Sequence, residues 1–375
     1  MTESIADVLA DVNDPETVEK VLKLSQSDRT ADGQTDPSEM PTLQELYDRY
    51  LARRRDRSPA TRAQYRRTLP KFIEFAKNEG VTTPAGISTS LIDAYVDQLQ
   101  EQYDTDSTIL TYTKNVRSWL RWLNRRDQCE DAVYQILDED ELGLNPRARD
   151  EALPVGEANT ILGKLRRQRR GSLKHALLEL LWNAGLRLGG AHSLDIRDFD
   201  PANSEVRLRH RPQSGTRLKN GSEDENTAGD GERNVALCDQ AVEAIEWYLD
   251  HERPNVTDEF GREPLFATTH GRATRSTLRR RVYEATSCRW RSDSSADCSC
   301  DGSCDPDSDI CDYSYYPHAI RRGAIVRHLS GGLQPAIASE RFDVSIKTIR
   351  KHYDPRTKRR RKEDRSNAVK SAWKG

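Results

Sequence analysis

A mostly helical fold with a small antiparallel sheet (α+β), divided between two domains, follows from three features of the sequence. From about residue 42 to 128, apolar side chains recur at helical spacing and no strand signal interrupts them. Apolar and charged residues alternate only later, in the stretch Glu205–His210. The chain then carries a long amphipathic run from Tyr315 to Tyr353. Its 375 residues suffice for two domains, each with a core of its own.

Composition narrows the setting. Charged residues make up 32% of the chain, and mean hydropathy is -0.86. No run of about 18 apolar residues occurs, so no membrane span is expected. The start, MTESIADVLADVNDPE, lacks the basic opening and apolar centre of a signal peptide, which predicts an intracellular, cytoplasmic protein. The net charge of -2 conceals segregation. Residues 1–40 are acidic, with only Lys20, Lys23 and Arg29 as basic residues. Residues 49–71 reverse this with Arg49, Arg53, Arg54, Arg55, Arg57, Arg62, Arg66, Arg67 and Lys71, and the stretch 356–362 (RTKRRRK) is basic again. Separated blocks of one sign point to a polyanionic partner, most often nucleic acid, although either block alone is equally consistent with a solvated helix face.

In chain order, residues 1–40 form a weakly ordered acidic segment, with Pro15 opening a short helix and a polar linker after it. Leu43, Leu46, Tyr47 and Tyr50 mark the first helix of the bundle. Ser58-Pro59 is a helix start, Ser58 as cap and Pro59 in the first turn. Tyr65, Leu69, Phe72 and Phe75 line one side of the helix that follows, and Pro70 predicts a kink or break within it. Helices over Ser88–Gln100 and Ser107–Leu123 complete a bundle of about four helices across 42–128. Such a basic bundle suits a clamp better than a catalyst. Asp138–Pro154, with two prolines and mixed charge, reads as the interdomain linker.

Beyond it, at 155–356, Ala158–Leu165 and Leu173–Trp182 are apolar helices, the second ending at Gly185. Strands are expected at Glu205–His210, at Arg217-Leu218-Lys219 and at Asn234–Leu237, with a polar loop Asn220–Glu232 between the last two. Asp239 is placed as the cap of a helix holding Val242, Ile245 and Leu249, and a further helix holds Leu278 and Val282 among Arg275, Arg279, Arg280 and Arg281. Residues 357–375 form a basic tail.

The chemistry concentrates near the end of the amphipathic run. His318 and Arg321 are three apart and share a helix face. Imidazole exchanges protons near neutral pH, and guanidinium grips phosphate through parallel hydrogen bonds. The Tyr353 phenol is a potential nucleophile. Upstream, Arg187 follows Gly185 where an apolar helix ends, and Lys219 ends a strand beside a loop that would let its ammonium swing into a site. Gly189-Gly190 forms no GxxxxGK[ST] pattern, which argues against nucleotide binding. Taken singly, Arg187 and Lys219 are more often ordinary surface charges, HxxR recurs by chance, and a lone Tyr such as Tyr353 is more often a half-buried core residue.

Their order along the chain resembles the tyrosine recombinase (phage integrase) family. The pieces that carry it are NAGLRLGGAHSLDIRDFD, TRLKNG with GERNVAL, PHAIRRGAIVRHLSGG and TIRKHYD. The resemblance covers about 42–356, with a helical core-binding domain followed by a catalytic domain, and the HYD ending and the hairpin look most like archaeal members. It implies that Tyr353 attacks the scissile phosphate to form a 3'-phosphotyrosyl bond. Arg187 and Arg321 would clamp the non-bridging oxygens, Lys219 would protonate the leaving 5' oxygen, and His318 would handle the tyrosine proton. It also implies no metal and no other cofactor, double-stranded DNA as partner held in a C-shaped clamp, and homotetramers on two DNA sites.

The expected function is thus a site-specific recombinase that cuts and rejoins DNA. Three departures set limits. Gly190 stands where an acidic residue often lies three after the first Arg, and Arg322 stands where His is common. Phe342-Asp343-Val344 replaces the LGH segment, so the second His has no match. These departures motivate a catalytically impaired DNA-binding accessory protein as an alternative. A type IB topoisomerase-like relaxing enzyme is another.

Five of seven cysteines (Cys288, Cys298, Cys300, Cys304, Cys311) crowd into one acidic stretch. A structural zinc is conceivable, but CxC-x3-C-x6-C lacks the paired CxxC arrangement. No metal ligand is assigned, and Cys129 and Cys238 read as buried or incidental.

Overall fold

The computed structural model describes residues 40–55, 57–146, 151–219, 231–291, 311, 313–354 and 366. The acidic segment 1–39, the loop 220–230, Cys298, Cys300, Cys304 and the basic tail, position 366 apart, lie outside the described residues. The chain divides into two compact units, Met1–Ala148 and Arg149–Gly375.

The first unit is a helical bundle. Helix α1 (Leu43–Arg53) opens on a capping box: Glu45 N donates to the Thr42 hydroxyl, and Thr42 N donates to the Glu45 carboxylate at 2.9 Å. Helix α2 (Pro59–Asn78) starts at Ser58 with Pro59 in its first turn. Of the kink or break expected at Pro70, the break does not occur: the helix runs through it. The helix-interior proline costs about 3 kcal/mol. Burial of Leu69 and Phe72 on either side of it returns roughly 1.5 to 3 kcal/mol each, which is enough to hold the helix together.

Helices α3 (Thr89–Gln102), α4 (Asp106–Asn124) and α5 (Ala132–Gln135) complete the bundle. Phe72 meets Tyr95 and Trp119 edge-on, with ring centres 5.0 and 6.1 Å apart, a favoured aromatic geometry. The buried Asn115 donates to Thr68 Oγ1 at 3.0 Å, so neither polar group is stranded in the core. Outside, Arg49, Arg53, Arg55, Arg57, Arg66 and Arg67 are exposed, while Arg54 lies 4.9 Å over the Tyr50 ring. The segment read as a linker is held at each end: Asp138 and Glu139 pair with Arg117 and Lys114 of α4, and Leu153 N donates to Ala319 O at 3.1 Å.

In the second unit, α6 (Val155–Gln168) precedes α7 (Leu173–Ala184), every residue of which is buried. After α8 (Leu188–Ser193) come β1 (Phe199–Asp200), β2 (Glu205–Leu208) and β3 (Arg233–Ala236), an antiparallel sheet in the order β1-β2-β3. Val206 faces both Phe199 and Val235 across it, so the alternation seen in the sequence places Val206, Leu208 and Val235 inward.

The expected strand at Arg217-Leu218-Lys219 does not form, and Phe199–Asp200 is the third strand instead. Residues Arg211–Thr216 fold back in a tight turn, bridged to each other, with Gly215 at φ 76°. Leu218 N then donates to His210 Nδ1 at 3.0 Å rather than to a sheet ladder. Helix α9 (Asp239–His251) is capped by Cys238, with Asp239 inside the first turn, so the expected cap is one residue too late. A two-stranded hairpin, β4 (Ala267–Thr268) with β5 (Gly271–Arg272), leads to α10 (Arg275–Ala285).

Helices α11 (Pro317–Ser330), α12 (Pro335–Phe342) and α13 (Ile346–His352) follow. Helices α9, α10 and α11 all pack on α7, which makes it the axis of the unit. Ile325, Leu329, Ala338, Phe342, Ile349 and Tyr353 form a separate small core beneath the last three helices.

Candidate active site

Arg187, Lys219, His318, Arg321 and Tyr353 come from four separate stretches of sequence and line one cavity of about 410 Å³. Ser339, Asp343, Val344, Ser345 and Thr348 complete its wall. The placement begins at Gly185. It ends α7 in the left-handed region at φ 61°, which turns the chain so that Arg187 caps the next helix. A Cβ at Gly185 would lie 2.5 Å from Cε1 of Phe342, so the backbone there is pressed against the end of α12.

That contact joins the two arginines. Arg321 is almost fully buried. Its Nη1 donates to Gly185 O at 2.9 Å and its Nη2 to Phe342 O at 2.6 Å. Burial first, and the neighbouring Arg187 charge second, push the Arg321 pKa down. Two backbone carbonyls thus hold a desolvated guanidinium that has no carboxylate hydrogen-bonded to it among the described residues. Arg187 pairs with the Asp343 carboxylate, and its Nη2 donates to Asp343 O at 2.7 Å.

His318 and Arg321 share the face of α11 that lines the cavity. The imidazole keeps an exposed edge. Its pKa is nevertheless lowered, by partial burial first and then by Arg321, Arg187, Arg322 and Lys219. A neutral imidazole at neutral pH can accept a proton. Its Nε2 lies 3.4 Å from the Tyr353 hydroxyl, a long contact of the kind that tightens on substrate binding.

Tyr353 caps α13, with its N–H bonded to Ile349 O at 2.9 Å, and its ring is buried in the small core. Arg322 Nη2 donates to His352 O at 2.8 Å, and the Arg322 guanidinium stands 5.7 Å over the Tyr353 ring. This arginine in the usual His position therefore grips the turn that carries the phenol. Lys219 is exposed at the rim, next to the undescribed 220–230.

The sequence reading did not single out Asp343 as a site residue. The departure at Phe342-Asp343-Val344 was its one visible trace. Among the described residues no cluster of His, Cys, Asp and Glu suited to a metal occurs; Cys288 and Cys311 are the described members of the cysteine-rich stretch. No described helix is long and apolar enough to cross a membrane.

With this geometry in hand, the likenesses to known proteins are informative. Residues 45–127 match the phage integrase N-terminal SAM-like domain. The chain is 24% identical over 225 residues to the tyrosine recombinase XerC of Herpetosiphon aurantiacus, covering 60% of this chain and 67% of that one. The Tn1549 transposon integrase, solved in complex with circular intermediate DNA, superposes over 87% of this chain and 99% of its own with a TM-score of 0.63 at 14% identity. A lambda integrase tetramer bound to a Holliday junction does so over 88% and 84%, with a TM-score of 0.53 at 13% identity. The fold is that of the tyrosine recombinases and integrases.

Proposed function

We propose that this protein is a site-specific tyrosine recombinase that cuts and rejoins double-stranded DNA through Tyr353. The carrying observation is the convergence of Arg187, Lys219, His318, Arg321 and Tyr353 on one cavity, with the phenol 3.4 Å from an imidazole whose pKa is lowered by burial and by the cations around it. The Tyr353 oxygen attacks the scissile phosphorus and passes its proton to His318 Nε2. The bond from phosphorus to the 5' oxygen breaks, and that oxygen takes a proton from Lys219 Nζ. The product is a 3'-phosphotyrosine and a free 5' hydroxyl. Arg187 and Arg321 stabilise charge on the non-bridging oxygens in the transition state, and the contact of the buried Arg321, held out of water, counts most.

The phosphotyrosyl bond conserves the energy of the broken diester, so the reaction draws on no metal, nucleotide or other cofactor. The exposed arginines of 49–67 supply phosphate contacts on the first unit. Two DNA sites call for a homotetramer, in keeping with the lambda integrase tetramer on its junction. Action on DNA goes with a cytoplasmic location. Affinity to archaeal members rests on the His352-Tyr353-Asp354 ending and the hairpin alone. The domain assignment follows the same reading: core-binding 42–128, linker 138–154, catalytic 155–356.

The test is strand exchange between two differently labelled duplex sites, with wild type and Tyr353→Phe in parallel. Recombinant products from wild type alone support the proposal. Relaxation of supercoils without exchange would indicate a topoisomerase, and binding with neither product an accessory protein.

A further inference from the structure

Resting on the phosphotyrosyl reading, we infer that Asp343 is a positioning residue that aims Arg187 at the scissile phosphate. Asp343 engages Arg187 twice, through its carboxylate on Nη1 and through its backbone carbonyl on Nη2 at 2.7 Å. A guanidinium is planar with its donors in a fixed fork, so two acceptors on one residue fix the plane and leave other N–H groups for a phosphate.

The same turn holds the second arginine, since Phe342 O accepts from Arg321 Nη2 at 2.6 Å. The end of α12 is therefore a common strut for both phosphate-binding groups. Asp343 pays for its place there: its φ is 50°, in the left-handed region where a non-glycine residue is disfavoured. A glycine would adopt that backbone freely, and only the carboxylate distinguishes the aspartate.

Position 190 explains the need. Gly190 follows Arg187 by three residues and offers no carboxylate, and its nearest neighbours are the apolar Leu186 and Leu208. The carboxylate beside Arg187 comes instead from another element of the fold. Asp343 thus takes over a role that the local sequence around Arg187 leaves unfilled.

The experiment follows single-turnover adduct formation on nicked duplexes, selected by covalent capture from a randomised library. Wild type, Asp343→Gly, Asp343→Asn, Arg187→Ala and the Arg187→Ala/Asp343→Gly double variant are compared, with DNA affinity and thermal midpoint recorded for each. Asp343→Gly keeps the backbone, so it should melt as wild type does and bind DNA within about twofold, while adduct formation slows by up to about 100-fold. Asp343→Asn, which retains a side-chain acceptor, should fall between the two. In the Arg187→Ala background, Asp343→Gly should have no further effect, because its action runs through that arginine. Asp343→Gly reacting as fast as wild type would overturn the inference, and so would effects that simply add. A faster Asp343→Gly would mean that the carboxylate competes with the phosphate. No adduct from wild type on any selected duplex would instead sink the phosphotyrosyl reading itself.

Discussion

At the scale of single residues, the pair His318 and Tyr353 bears the chemical argument. A base that accepts the phenol proton must be unprotonated at working pH. Burial and four neighbouring cationic groups lower the His318 pKa below its ordinary value near 6.5, so the neutral form persists as pH falls through the range where a free imidazole would charge. Two-dimensional NMR of the imidazoles in DNA-free protein should therefore find His318 titrating below pH 6.5. A midpoint at or above that value would remove it as the resting base. The HxxR spacing showed only that His318 and Arg321 share a helix face; the roles proposed for them and for Tyr353 came from the order of the four sequence pieces. Asp343 was not legible in the sequence, because its partner Arg187 lies 156 residues away and no local pattern announces such a pairing.

At the scale of elements, the end of α7 is the hinge of the site. Gly185 must hold φ 61°, stay within reach of the Phe342 ring and present its carbonyl to Arg321. Replacing it with Ala should cost roughly 2 to 5 kcal/mol, from the left-handed backbone and the overpacked ring together. Adduct formation should be lost even in the fraction that remains folded, because both arginines hang from this contact. Urea unfolding alongside a cleavage assay checks it, and unchanged activity in a destabilised Gly185→Ala would detach the glycine from the chemistry.

Helices with a buried stripe, such as α2 and α4, were legible from periodicity, and so was the Ser58-Pro59 start. The strand expected at 217–219 failed because three residues carry too little pattern. There a side-chain acceptor on His210 competed with the ladder for Leu218 N–H. Pro70 did not break α2 as it could have: its local penalty is real, but burial of the flanking Leu69 and Phe72 outweighs it.

At the scale of the whole molecule, the proposed function assigns the holding of DNA to the basic helical bundle, whose residues 45–127 match the integrase SAM-like domain, and the cutting to the second unit. Net charge gave no hint of this, since acidic and basic blocks nearly cancel over the chain. The segregation of charge did, and so did the order of four dispersed pieces of sequence. What joins those pieces is the packing of α11 on α7, of the end of α12 against Gly185 and of α13 on α12. The measurement that tests the account most directly is trapping of the covalent complex on a nicked duplex, followed by protease digestion and mass spectrometry of the DNA-linked peptide. The account predicts a nucleotide 3'-phosphate attached to Tyr353, and no adduct from Tyr353→Phe. A nucleotide on any other residue, or an adduct that survives that substitution, would contradict it.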